Sequence, residues 1–224
     1  MKLLIVADEE STALWDCYRP GVLAPYGLML SCGDLNAKYL EFMVTMARCP
    51  LLYVRGNHDH SYAQNPPEGC DVIEDTLMVY KGLRILGLGG CRRYSGGSNQ
   101  YTEKQMRKRI RKLQQAIKMV GGVDIMLAHS APKGVGDWDD HSHQGFTSFL
   151  ELIDRWHPAY LLHGHVHMNY GMNIPRVREY GGTKVINCCG RYELDIEPEY
   201  KMPEQTFWQR LYSRVFLKNL KIVF

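Results

Sequence analysis

A chain of 224 residues that is 45% hydrophobic and 23% charged is sized for one domain and composed like an ordinary soluble protein. Its formal charge of +3 is too small to argue for a nucleic-acid partner by itself, and no apolar run approaches the roughly eighteen residues of a membrane span. Seven cysteines, odd in number and without a CxxC pair, sit mostly inside apolar runs, as free thiols in a reducing cytoplasm do.

The opening run Leu3-Leu4-Ile5-Val6 reads as a buried strand, and Asp8 interrupts it too early for a signal peptide, so the expected location is cytoplasmic. Leu28-Met29-Leu30 and Leu51-Leu52-Tyr53-Val54 are the next strands, with a crossover helix over Tyr39–Ala47 between them. Leu77–Tyr80 and Leu83–Leu88 flank Lys81-Gly82, a hairpin signal. Thr102 with Gln105 forms a capping-box pattern, and Met106, Ile110, Leu113 and Ile117 share one helical face ahead of Gly121-Gly122. Seven basic residues in that helix (104, 107, 108, 109, 111, 112, 118) read as a solvated face. Ile125-Met126-Leu127, a helix from Phe146 to Trp156, and Tyr160-Leu161-Leu162 follow. A second hairpin is expected over Arg178–Asn187 on Gly181-Gly182. One domain over 1–224 is expected, with a C-terminal extension at about 191–224.

Five of the strand runs end in chemically loaded residues: Asp8 with Glu10, Gly33-Asp34, Gly56-Asn57-His58-Asp59, His129, and Gly164-His165-Val166-His167. Open α/β sheets place their sites at strand carboxyl ends. Converged there, carboxylates, an amide and imidazoles make a metal site. Singly, each piece has a plainer explanation, such as a Gly-Asp turn or a satisfied core histidine.

In this order the pieces resemble the signature of the calcineurin-like metallophosphoesterases: D-x-H, GD, GNH[DE], a lone H, then GHxH. Four of the five are intact between residues 8 and 167, and the resemblance covers about the first 190 residues. It implies a four-layer α/β/β/α sandwich of two mixed sheets, with two divalent metals at their top. Manganese is the first choice; iron, magnesium and zinc are the alternatives. By position, Asp8, residue 10 and His167 would hold the first metal, and Asp34 would bridge. Asn57, His129 and His165 would hold the second. His58 would stand near the leaving oxygen of a phosphate ester, oriented by Asp59. A bridging carboxylate can hold two ions about 3.5–4 Å apart, which together lower the pKa of a shared water.

The departure is Glu10, where the family places histidine. On an extended strand end, positions i and i+2 share a side, so the Glu10 carboxylate is expected to join Asp8 on the first ion; the competing reading is that position 10 has lost its ligand and the first ion is weak or absent. Two divalent ions, a bridging hydroxide and carboxylates at 8, 10 and 34 then carry no net charge. Such a centre attracts a phosphate dianion less and tolerates a diester monoanion relatively better.

The expected activity is hydrolysis of a phosphodiester or small phosphorylated metabolite. The rivals are a non-catalytic protein-interaction module on the same fold and a nuclease, with nucleic acid disfavoured by the near-neutral charge. His141 and His143 lie in a loop expected to overhang the site; His60 and His163 are expected to be supporting or structural. The aromatic-rich stretch Phe207–Lys218 is expected to pack on its own domain, with homo-oligomer formation through this tail and contact with a membrane surface the alternatives.

Overall fold

The computed structural model describes residues 1–171, 174–198, 200 and 219–223. Five strands form one sheet in the order β13 (Gly190–Asp195), β1 (Lys2–Ala7), β2 (Leu28–Ser31), β3 (Leu51–Tyr53) and β4 (Asp71–Val72). β1 to β4 run parallel, and β13 is antiparallel to β1, from Lys2 opposite Asp195 to Ala7 opposite Gly190. Seven strands form the other: β11 (Val177–Tyr180), β12 (Thr183–Asn187), β10 (Tyr160–His163), β9 (Ile125–Ala128), β6 (Leu83–Leu88), β5 (Thr76–Tyr80) and β14 (Leu220–Val223). Here β12, β10, β9 and β6 are mutually parallel. A short ribbon pairs β7 (Cys91–Arg92) with β8 (Gln100–Tyr101).

All five expected site-bearing strands are present, and so are both hairpins. Their turns carry positive φ at both central residues, Lys81 (45°) with Gly82 (81°) and Gly181 (55°) with Gly182 (81°). That twist matches the right-handed twist of the flanking strands. β13 lies beyond the last motif and was not anticipated. Its alternating half-exposed pattern is that of a strand covering the free side of β1.

Three apolar layers stack through the molecule. Leu3, Ile5, Leu28 and Leu30 meet Ile85, Ile125, Leu127 and Leu162 between the sheets. The other face of the first sheet (Leu4, Val6, Met29) packs on Tyr39, Leu40 and Met43 of α1 (Ala37–Met46). The outer face of the second sheet packs on α2 (Glu103–Val120) and α3 (Thr147–Trp156), so the fold is the four-layer α/β/β/α sandwich. α2 starts on the expected Thr102–Gln105 capping box, worth about 1 kcal/mol. Met106, Ile110, Leu113 and Ile117 are buried beneath it at about 1.5–3 kcal/mol each, so packing rather than the cap holds the helix in place. Its bases are partly committed, Arg107 to Glu151 at 2.6 Å and Arg109 to Asp75 at 2.7 Å. The stretch Phe207–Lys218 lies outside the described residues.

Candidate metal centre

The carboxyl ends of β1, β2, β3, β9 and β10 meet along one edge, where the two sheets touch. Two glycines allow that contact. A Cβ on Gly56 would collide with the His129 ring of the other sheet as well as with Asp34 Oδ1, and one on Gly164 with Asp8 Oδ2. Asp8 (φ 61°), Asp34 (56°) and His165 (68°) each adopt the left-handed backbone region, at a cost of order 1–3 kcal/mol apiece. Strain of this kind is retained where the surrounding structure holds a side chain in a required position.

His129 is fully buried, and its Nδ1 lies 2.9 Å from the Cys32 carbonyl. A carbonyl only accepts, so Nδ1 carries the proton and Nε2 keeps its lone pair in the neutral ring. That Nε2 lies 3.0 Å from Asn57 Oδ1 and 3.2 Å from Asp34 Oδ2. Asn57 is turned oxygen-inward because its amide donates to the Tyr94 hydroxyl at 3.3 Å. His165 offers a further donor atom within 4.8 Å of those of Asp34 and His129. Its Nε2 lies 2.9 Å from the Ser142 carbonyl, which leaves Nδ1 as the basic atom. Lone pairs of two imidazoles, a carboxylate and an amide oxygen thus face one another, an arrangement that only positive charge relieves. Burial opposes a charged His129, yet the negative charge of Asp34 and Asp8 raises its pKa to about 9. Burial likewise opposes ionised Asp34, but His129 and the His58 N–H hold it at about 2. The donor set suits a divalent transition metal.

Asp8 stands beside this group. Both its oxygens accept from the His165 backbone N–H, at 2.9 and 3.0 Å, while burial, against the pull of His129, raises its pKa to about 6. Beyond Asp8 the strand alternation stops. Glu9 N–H closes a tight turn onto the Ala7 carbonyl at 2.6 Å, with Asp8 at its centre. Consequently Glu9 rather than Glu10 faces His167, with Glu9 Oε1 3.1 Å from His167 Nδ1. Glu10 is exposed and accepts from the Asn36 N–H at 3.1 Å, ahead of α1. A second convergent group, Glu9, His167 and Cys189, has donor atoms within 4.8 Å of one another.

His58 is exposed at the cleft, and its backbone N–H donates to Asp34 Oδ1 at 2.7 Å. Asp59 is buried and accepts from the N–H groups of Asp34 and Gly56. Among the described residues no hydrogen bond joins it to the His58 ring.

Residues 1–192 match the calcineurin-like phosphoesterase superfamily domain. The chain belongs to that superfamily. A Caenorhabditis elegans relative, UPF0046 protein T07D4.2, is 37% identical over 81 residues, 35% of this chain but 19% of its own length. Among solved structures, TT1561 of Thermus thermophilus shares the fold at TM-score 0.55 and 14% identity, covering 84% of this chain and 89% of that one. A single mutant of Vps29 from Entamoeba histolytica aligns at TM-score 0.38 and 14% identity, over 88% and 87%.

The superfamily is one of phosphoesterases, and the edge of the sheets here opens into a cleft of about 230 Å³ lined in part by Asp34, Asn57, His58, His143, His165 and His167. His143 stacks on His165 at 4.7 Å and has Nδ1 2.8 Å from Asp140, so one of the two loop histidines reaches the cleft; His141 is exposed outside it. His163 is buried with Nδ1 near the Gly164 carbonyl, and His60 is exposed. Tyr94, Tyr170 and Cys189 were missed in the sequence because no motif or strand period marks them. No helix among the described residues is long and apolar enough to cross a membrane.

Proposed function

We propose that this superfamily member is a dinuclear metal-dependent phosphohydrolase that cleaves a phosphodiester or a small phosphorylated metabolite. The observation that carries this reading is His129, with its Nδ1 at a backbone carbonyl and its Nε2 facing both Asp34 Oδ2 and Asn57 Oδ1. Asp34, Asn57, His129 and His165 would hold one divalent ion; Asp8, Asp34 and His167 would hold the other. When bound, such ions polarise the phosphoryl oxygens and make water a stronger acid.

The remaining work falls to the chain's own groups. Asp34 would serve both donor sets, and one of its oxygens accepts from the His58 backbone N–H, which holds the His58 backbone at the mouth of the cleft. From there the imidazole can give its proton to a departing alkoxide. Asp59 holds the loops of Asp34 and Asn57 together. Tyr94 fixes the Asn57 amide, and His143 and Tyr170 line the same cleft.

The test pairs metal analysis of the purified protein with a screen of phosphomonoesters and phosphodiesters, for the wild type and Asp34→Asn. The expected result is two ions per chain and turnover in the wild type, both lost in Asp34→Asn while the far-ultraviolet circular dichroism is unchanged. Full activity or full metal content in Asp34→Asn would overturn the reading. A non-catalytic module on the same fold is favoured only by the missing imidazole at position 10, and it expects ion binding without turnover.

A further inference from the structure

We infer that Glu9, His167 and Cys189 hold the ion beside Asp8, supplying a thiolate and a carboxylate in place of the imidazole that position 10 lacks. This deepens the dinuclear reading above and rests on it.

The carboxyl end of β12 is a sixth strand end at the same edge, because β12 runs parallel to β10. After Asn187 the chain leaves the second sheet and enters β13 of the first, and Cys189 lies in that crossing. Its backbone bridges to Ala7, the residue before Asp8. The crossing is held on every side. Cys188 N–H donates to the His163 carbonyl at 2.6 Å, and Arg176 Nη1 donates to the Cys189 carbonyl at 3.1 Å. Asn187 spans the two pieces that matter. Its Nδ2 donates to the Val166 carbonyl, between His165 and His167, at 2.7 Å, while its Oδ1 accepts from Cys189 N–H at 2.9 Å. The thiol and the His167 ring are therefore positioned by one shared side chain.

Glu9 arrives from the other sheet through the tight turn at Asp8. The three donor atoms lie within 4.8 Å of one another, and Glu9 is already 3.1 Å from His167 Nδ1. Metal–sulfur bonds of about 2.3 Å and metal–nitrogen or –oxygen bonds of about 2.0–2.1 Å place neighbouring donors about 2.9–3.6 Å apart, the closer spacing belonging to a shell of five or six ligands that keeps Asp8 and Asp34. Cys189 and the backbone around it are held, so the exposed Glu9 and half-buried His167 side chains are the ones that adjust around an ion. As the Sγ–metal bond forms, the thiol releases its proton to solvent. A thiolate selects zinc, iron or cobalt over manganese or magnesium, the reverse of an all-oxygen set at this position.

The test loads the chelated full chain with Co²⁺ and reads both stoichiometry and absorption. Two ions per chain with a near-ultraviolet thiolate-to-cobalt charge-transfer band are expected. Cys189→Ser should remove the band and one ion, Glu9→Ala should remove one ion, and Glu10→Ala should remove neither. Should the buried Cys189→Ser change disturb the fold by circular dichroism, the surface change Glu9→Ala still decides through the lost ion. Two bound ions without the band would overturn the thiolate assignment while leaving the dinuclear reading standing. So would a band that survives in folded Cys189→Ser, or an ion lost in Glu10→Ala and kept in Glu9→Ala. Failure to bind cobalt at all overturns both.

Discussion

The carboxylate of Asp59 accepts the backbone N–H of Asp34 at 2.8 Å, and the same oxygen accepts that of Gly56 at 2.8 Å. One buried side chain therefore locks the loop after β2 to the loop after β3, the two loops that present Asp34 and Asn57. Removing the acceptor in Asp59→Ala leaves two amides short of a charged partner, each such bond contributing about 1.5–3 kcal/mol. Urea unfolding should show a loss of that order, and bound metal should fall with it. Asp59→Asn keeps a carbonyl acceptor and should lose less. An unchanged urea midpoint in Asp59→Ala would remove the locking role.

His58 should matter most where the leaving group is poor. As a proton donor it is worth about 10²–10⁴-fold in turnover. His58→Ala should show that loss on alkyl phosphate esters and a much smaller one on p-nitrophenyl esters, whose phenolate departs without a proton. Equal losses on both would make His58 a stabiliser of charge on phosphorus instead.

The chelated protein should carry the pH signature of the Asp34–His129 pair. His129 has its pKa raised from 6.5 to about 9, so its contribution is complete below 6.5 and disappears as pH rises through 9. Asp34 has its pKa lowered from 3.8 to about 2, so its contribution is present above 3.8 and disappears as pH falls through 2. Thermal melts of the chelated chain should therefore decline as pH rises from 6.5 through about 9, and His129→Gln should flatten that decline. Parallel slopes in the two proteins would show that the pair contributes nothing.

Gly164 is needed for want of a side chain. A Cβ there collides with Asp8 Oδ2 and reaches the Ala7 side chain. Gly164→Ala should displace Asp8, lower metal content, and lower the melting temperature. Gly96, with nothing within 4 Å of an added Cβ, is the matched control and should tolerate alanine. Equal metal content in the two variants would count against the close approach of the sheets.

Much of this protein was legible in its residues alone, because the signals are local. Unbroken apolar runs mark strands buried on both faces, Thr102 with Gln105 starts a helix, and Lys81-Gly82 and Gly181-Gly182 close hairpins. Each depends on neighbours a few positions away. The loaded residues after those runs followed from the same logic, and His129, Asp34 and Asn57 do converge. What only the tertiary structure decided is which side chains the turns aim at one another. Two-residue alternation places Glu10 beside Asp8, but a left-handed Asp8 ends the strand and turns Glu9 toward His167 instead. Cys189 looked like one more core thiol. It reaches the edge of the site because β12 and β13 belong to different sheets, and Asn187 ties their crossing to the loop of His165 and His167. A single backbone torsion and a contact between segments 21 residues apart leave no periodic trace in a sequence, since both are set by how the two sheets pack.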